Sequence, residues 1–223
     1  MNLLNDTIIT KATMKKTLKG SSDYIRVALS RLSKKNKLAR VTKGKYTKIS
    51  NPFVIATNLF TPSYLSYWSC SYFKGYTEQI VNTMQVVTTT RHKNIDFEGY
   101  FFEFYNTSKK NFFGYEKIKA GKGFVFAADN EKLIIDSLLK EELLGNFDEI
   151  IKIVSNAEIN SDKIAEYLNK INNKSLNKRA GFLLEKYKGI DLSKKISFYD
   201  NNYVRLSKLK YCKEINKKWR IKV

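Results

Sequence analysis

The stretch Ala28–Ile49, ALSRLSKKNKLARVTKGKYTKI, packs eight positive charges and no negative ones into 22 residues. The spacing of its apolar residues decides how the first fifth of the chain folds. Ile25, Ala28, Leu29 and Leu32 fall at i, i+3, i+4 and i+7, which is one buried face of a helix. The spacing predicts a helix over about Asp23 to Lys35, capped by Ser21 or Ser22. Its other face displays Tyr24, Arg26, Val27, Ser30, Arg31 and Lys34, with Ser22 at its start. Arginine and serine are side chains that reach base edges and phosphates from a helix lying in a major groove.

Downstream the period changes from 3.6 to 2. Leu38, Val41, Tyr46 and Ile49 face inward in a predicted hairpin whose tip is Thr42-Lys43-Gly44-Lys45. Arg40, Lys43 and Lys45 then line a basic wing suited to flanking phosphates. Upstream, Thr10 suits the cap of a short helix, Lys11 to Leu18, with Met14 and Leu18 on one face. Gly20 suits its left-handed end. Helix, turn, helix and basic hairpin occur in the order of a winged helix-turn-helix, expected over residues 1–50. The usual first helix of that module has only MNLLND to build from, so it is very short or replaced by another segment.

Charge supports the same reading through its distribution rather than its total. The net charge is +20, with 34 Lys against 7 Arg, a bias that an AT-rich coding sequence produces unaided. Yet residues 1–50 hold 13 Lys and Arg against 2 acids, residues 51–202 hold 20 against 18, and residues 203–223 hold 8 against 1. Clustering at both ends is the electrostatic footprint of a partner such as an acidic polymer. The tail cations Lys208, Lys210, Lys213, Lys217, Lys218, Arg220 and Lys222 admit three readings: composition-driven surface, a second phosphate strip, or a seat for an acidic protein. No stretch reaches the roughly 20 apolar residues of a membrane span. The N-terminus lacks a secretory pattern, and two isolated cysteines, Cys70 and Cys212, form neither a disulfide framework nor a zinc spacing. A cytoplasmic protein is expected.

Asn51-Pro52 marks the expected start of a larger second domain, residues 51–223. An aromatic helix is predicted from Pro62 to Gly75. The runs MQVVTTT, FFEFY, NFFGYEKI and GFVFAA read as strands of a mostly antiparallel sheet. Helices follow: Asn130 to Leu144 capped by Asp129, one around Phe147 to Val154, one capped by Ser161, and one from Ser175 to Tyr187 ending at Gly189. Trp219 to Val223 reads as an edge strand. The fold class is therefore α+β: a winged helix-turn-helix followed by a mixed α/β domain with an antiparallel sheet and a helical segment.

Taken in order, YLSYWSCSYFKGYTEQI, FGYEKI, ADNEKLIIDSLL and KRAGFLLEKYKGI resemble the AbiEi antitoxin family of type IV abortive-infection toxin–antitoxin systems. The family's Gly-x-Thr matches Gly75, Tyr76 and Thr77, and its Glu-Lys-x-x-x-Asp matches Glu131, Lys132 and Asp136. Its Arg-x-Gly-x-Leu-Leu-Glu matches Arg179, Gly181, Leu183, Leu184 and Glu185, and its terminal tryptophan matches Trp219. The resemblance runs from about Ile8 to Val223. The segment Tyr64 to Tyr76 departs from it, being aromatic where the family is more often rich in serine and alanine. The resemblance implies an autorepressor that binds double-stranded operator DNA as a monomer or dimer. It also implies a C-terminal domain that counteracts a nucleotidyltransferase-like toxin and assists cooperative DNA binding.

Residues that look catalytic have plainer readings. His92 is the one histidine and sits in a basic loop, TTTRHKN. Asp96, Glu98, Glu103 and Lys117 would form a nuclease-like cluster only if strand geometry gathered them. Glu131 suits a helix N-terminus, and Asp136 suits a neighbouring cation, Arg179 among the candidates. No phosphate-cradling glycine loop or nucleophile motif occurs. No catalytic residue, metal or cofactor is expected. The alternatives are a DNA-acting nuclease targeted by the winged helix, or a regulator that binds a ligand in its aromatic middle.

Overall fold

The computed structural model describes residues 6–16, 20–208 and 214–223, and the fold is α+β. Leu18, Lys210, Cys212 and Lys213 lie outside the described residues. The chain forms two compact units. One comprises residues 1–65, 82–106 and 117–127; the other comprises 66–81, 107–116 and 128–223. The chain therefore passes from one unit to the other repeatedly, because strands distant in sequence share one sheet.

The first unit begins with strand β1 (Ile9–Thr10) and helix α1 (Lys11–Lys15). Thr10 caps α1 in a reciprocal box with Thr13. Helix α2 (Ser22–Lys34) is capped by Ser21, whose hydroxyl accepts from Tyr24 N–H at 3.2 Å. Asp23 in its first turn and Arg31 and Lys34 in its last turn complement the helix dipole. Asn36 ends it in the left-handed conformation, and the Lys37 N–H bonds back to the Leu32 carbonyl at 2.9 Å. Gly20 is not left-handed as expected. It is small because the Tyr24 ring lies where its side chain would be.

Strands β2 (Ala39–Thr42) and β3 (Lys45–Thr47) form the hairpin, turning at Gly44 with φ of 76°. Strand β1 joins the open edge of β3, pairing Ile9 with Tyr46. That third strand was not legible in the sequence. Ile9, Met14, Ile25, Leu29, Leu38 and Tyr46 make one buried cluster, with Leu32 packed against it.

Helix α3 (Pro52–Leu59) starts at Asn51, whose side chain caps Phe53 and Val54. A six-stranded sheet completes the unit: β4 (Ser63–Leu65), β5 (Thr83–Thr88), β6 (Ile95–Phe97), β7 (Tyr100–Asn106), β8 (Tyr115–Ala120) and β9 (Gly123–Ala128), in the order β6-β7-β5-β4-β9-β8. The sheet is mixed, not mostly antiparallel. β5 runs parallel to β7 because β6 returns the chain beside β7, and β4 meets β9 in parallel at Leu65 and Ala127. The predicted aromatic helix is correspondingly split: its first residues are β4, and helix α4 (Tyr67–Phe73) belongs to the second unit.

The second unit stacks α4 with helices α5 (Asn130–Leu139), α6 (Phe147–Asn156), α7 (Ser161–Ile171) and α8 (Lys174–Lys188). Asp129 caps α5 as expected, whereas α7 is capped by Asn160 rather than Ser161. A short sheet of β10 (Val204–Arg205), β11 (Ile215–Asn216) and β12 (Ile221–Lys222) closes the unit in the order β10-β12-β11. The strand after Trp219 is thus central rather than an edge, flanked on both sides. Among the described residues, no helix is long and apolar enough to cross a membrane.

Candidate functional site

Burying Ile25 and Leu29 turns the other face of α2 to solvent. Tyr24, Arg26, Val27, Ser30, Arg31 and Lys34 are all exposed there. Ser22 is half-buried as the first residue of the helix, one place beyond the cap. Arg26 lies 3.3 Å from Asp23, with both side chains mostly exposed. A surface pair of this kind contributes about 0–1 kcal/mol, so the guanidinium can be recruited by a more strongly charged anion. On the hairpin, Arg40 and Lys43 are exposed.

Lys45 departs from the expected wing. Its ammonium donates to the Leu59 carbonyl and lies 4.0 Å from the centre of the Phe60 ring. Burial lowers its pKa. Lys45 therefore fastens the hairpin tip to the end of α3 and is not a free phosphate contact. The sequence concealed this because its partner is a backbone carbonyl 14 residues away.

His92 completes the fastening. Its ring stacks on Phe60 at 3.8 Å between centres and 7° between planes, with Phe104 edge-on at 5.8 Å. Nε2 lies 2.8 Å from the Thr90 hydroxyl. Burial, then the charge of Lys45, lowers the His92 pKa from its ordinary 6.5. A depressed histidine pKa favours the folded state at high pH. That contribution is whole above 6.5 and is lost as pH falls through the lower folded value. Proton NMR of the ring is expected to titrate below pH 6.5, and Lys45→Met should move the midpoint part of the way back. An unchanged midpoint in Lys45→Met would separate the two side chains electrically.

The nuclease-like cluster is not assembled. Asp96 lies on β6 and Glu103 on β7, at one side of the sheet, where the Tyr105 hydroxyl donates to Glu103. Lys117 lies on β8 at the far edge, over the Phe124 ring. With strands about 4.8 Å apart, the intervening strands place it on the order of 20 Å away. Among the described residues, no group of three or more His, Cys, Asp or Glu is placed to hold a metal ion.

In the second unit the family-like acids are anchored in the interior. Asp136 accepts from Lys132 and from the Ser66 hydroxyl at 2.9 Å, so its cation is Lys132 and not Arg179. Glu131 accepts from Asn160 N–H at 2.8 Å and pairs with Lys163 at 3.0 Å. Arg179 is itself buried, which lowers its pKa. Gly181 faces the fully buried Trp219: a Cβ there would lie 2.2 Å from the indole. Glu185, one turn on, accepts from the indole N–H. Gly181, Glu185 and Trp219 thus form one packing joint.

No protein-family model matches the chain, and no curated protein matches it. Among solved structures it is similar to the RV2827C protein from Mycobacterium tuberculosis, with a TM-score of 0.65 at 12% identity, over 97% of this chain and 86% of that one. At that identity the likeness is one of fold.

Proposed function

We propose that the chain is a sequence-specific DNA-binding autorepressor and the antitoxin of a type IV toxin–antitoxin pair, with no catalytic role. The observation that carries the DNA-binding half is the exposed face of α2. Tyr24, Arg26, Val27, Ser30, Arg31 and Lys34 project from a helix whose opposite face is locked into a small core, with Arg40 and Lys43 on the hairpin beside it. In this reading the first fifty residues are a winged helix-turn-helix, α2 is its recognition helix, and the hairpin is its wing. Strand β1 completes a three-stranded sheet with the two strands of the hairpin. The antitoxin half rests on the sequence resemblance alone.

Fluorescence anisotropy against the duplex upstream of the protein's own gene tests the first half. Arg31→Ala is expected to cost about 1–3 kcal/mol on that duplex and to relax its preference over scrambled DNA. Lys43→Ala should weaken every duplex alike and reduce the salt slope by about one. Equal affinity of the parent protein for operator and scrambled duplex at moderate salt would remove the repressor reading. Co-expression with the product of the adjacent gene tests the second half: growth arrest by that product, relieved by this chain, is expected. Arrest that persists would remove the antitoxin reading.

A further inference from the structure

The outer side of the short C-terminal sheet combines positive charge with exposed aromatic rings. β10 and β12 run parallel with Arg205 beside Lys222. Side chains alternate across a strand, so these two cations share one face while Ile221 is buried on the other. Neither has an acidic partner among the described residues, unlike Lys218, which Glu185 and Asp191 hold. Arg220 leads into β12, and its guanidinium lies 4.6 Å from the Tyr199 ring centre and 6.0 Å from that of Tyr203. Tyr199 is 67% exposed and Tyr203 41% exposed.

The two tyrosines do not hang on a loose loop. Phe198 turns inward against Trp219, with ring centres 4.5 Å apart. Lys178, fully buried, reaches out to the Asn202 carbonyl at 2.6 Å and to the Asp200 carboxylate, whose pKa it lowers. Asp200 in turn accepts from Asn202 N–H at 2.9 Å. The Arg220 Nη2 donates to the Tyr199 hydroxyl at 2.9 Å, which fixes the ring's direction. Two tyrosine rings are therefore presented to solvent from a pinned backbone, with the planar Arg220 cation over one side of Tyr199.

Exposed rings amid phosphate-binding cations suit a polymer whose bases are free to stack. In a duplex the base faces are already covered, and an acidic protein offers charge without flat partners. We propose that this face binds single-stranded nucleic acid, with bases stacking on Tyr199 and Tyr203 and phosphates held by Arg205, Arg220 and Lys222. The site is independent of the α2 face, and the two succeed or fail separately.

The test uses the full chain and two fluorescent probes, an oligothymidylate of about 12 nucleotides and a duplex. Tyr199→Ala and Tyr203→Ala are each expected to weaken the single strand roughly tenfold, and Tyr199→Phe, which keeps the ring but loses the Arg220 hydrogen bond, should weaken it less than Tyr199→Ala. Duplex affinity should be unchanged in all three, while Arg31→Ala should show the opposite pattern. Both rings are solvent-exposed, and the thermal midpoints of the variants should match the parent. As a second readout, Arg205→Gln with Lys222→Gln should reduce the single-strand salt slope by about 1.4. The proposal is overturned if the parent does not bind the oligothymidylate at low salt. It is equally overturned if the double tyrosine variant binds it as tightly as the parent, or loses duplex and single strand alike.

Discussion

Trp219→Ala is expected to destabilise the helical unit by about 3–5 kcal/mol, measured by chemical unfolding. The indole is fully buried, packed at a tilt against Phe198, and its N–H is satisfied by Glu185. Truncation removes a large apolar surface, opens a cavity beside α8, and leaves the Glu185 carboxylate without that donor. Gly181→Ala probes the same joint from the other side. In an ordinary helix interior this change stabilises by about 0.5–1 kcal/mol. Here the new methyl would sit 2.2 Å from a ring that is boxed in, so a net loss of about 2 kcal/mol is expected. Combining Gly181→Ala with Trp219→Leu should cost less than the sum of the two, because the smaller side chain leaves room for the methyl. A stabilised Gly181→Ala would show that the indole is not seated on that helix turn.

Asp136→Ala is expected to cost a similar amount, about 3–5 kcal/mol. Lys132 is 2% exposed, so losing this carboxylate removes the counter-charge of a cation where water cannot replace it. The Ser66 hydroxyl also loses its acceptor. The diagnostic comparison is the double variant Lys132→Met with Asp136→Ala. Removing both charges takes away the buried cation along with its counter-charge, so the double should be more stable than Asp136→Ala alone. If the double is the less stable of the two, the pair is not an electrostatic unit. The Glu-Lys-x-x-x-Asp pattern of α5, which reads on paper as a set of reactive groups, is on this account a buried fastening.

Features set by local period were legible in the sequence; those set by approach between distant segments were not. Ile25 and Leu29 one turn apart predicted both the burial of one α2 face and the exposure of Arg26 and Arg31 on the other, and Gly44 predicted the hairpin turn. Capping chemistry placed α5 and the end of α8, because those hydrogen bonds span only a few residues. The parallel pairing of β4 with β9 was hidden, since Ser63-Tyr64-Leu65 is too short to show alternation. The fate of Lys45 was hidden for a different reason: a lysine at a hairpin tip looks solvated unless the ring beside it is known. One signal could have been read further. A glycine in the middle of KRAGFLLEKYK is costly for a helix unless something large must come close, and Trp219 is that object.

The interleaving of the two units has a consequence for how the protein is made. A ribosome delivers α2 and its hairpin early, and their small core is complete once Tyr46 has emerged. The six-stranded sheet must wait for β9, by which time α4 is already outside the tunnel without the helices it packs against. The second unit waits longer still, since α8 keeps an open groove at Gly181 until residue 219 arrives to fill it. Synthesis therefore passes through a stage in which the hairpin segment is folded and the helical segment still shows apolar surface. Arrested nascent chains ending between α8 and Trp219 would expose that surface to chaperones.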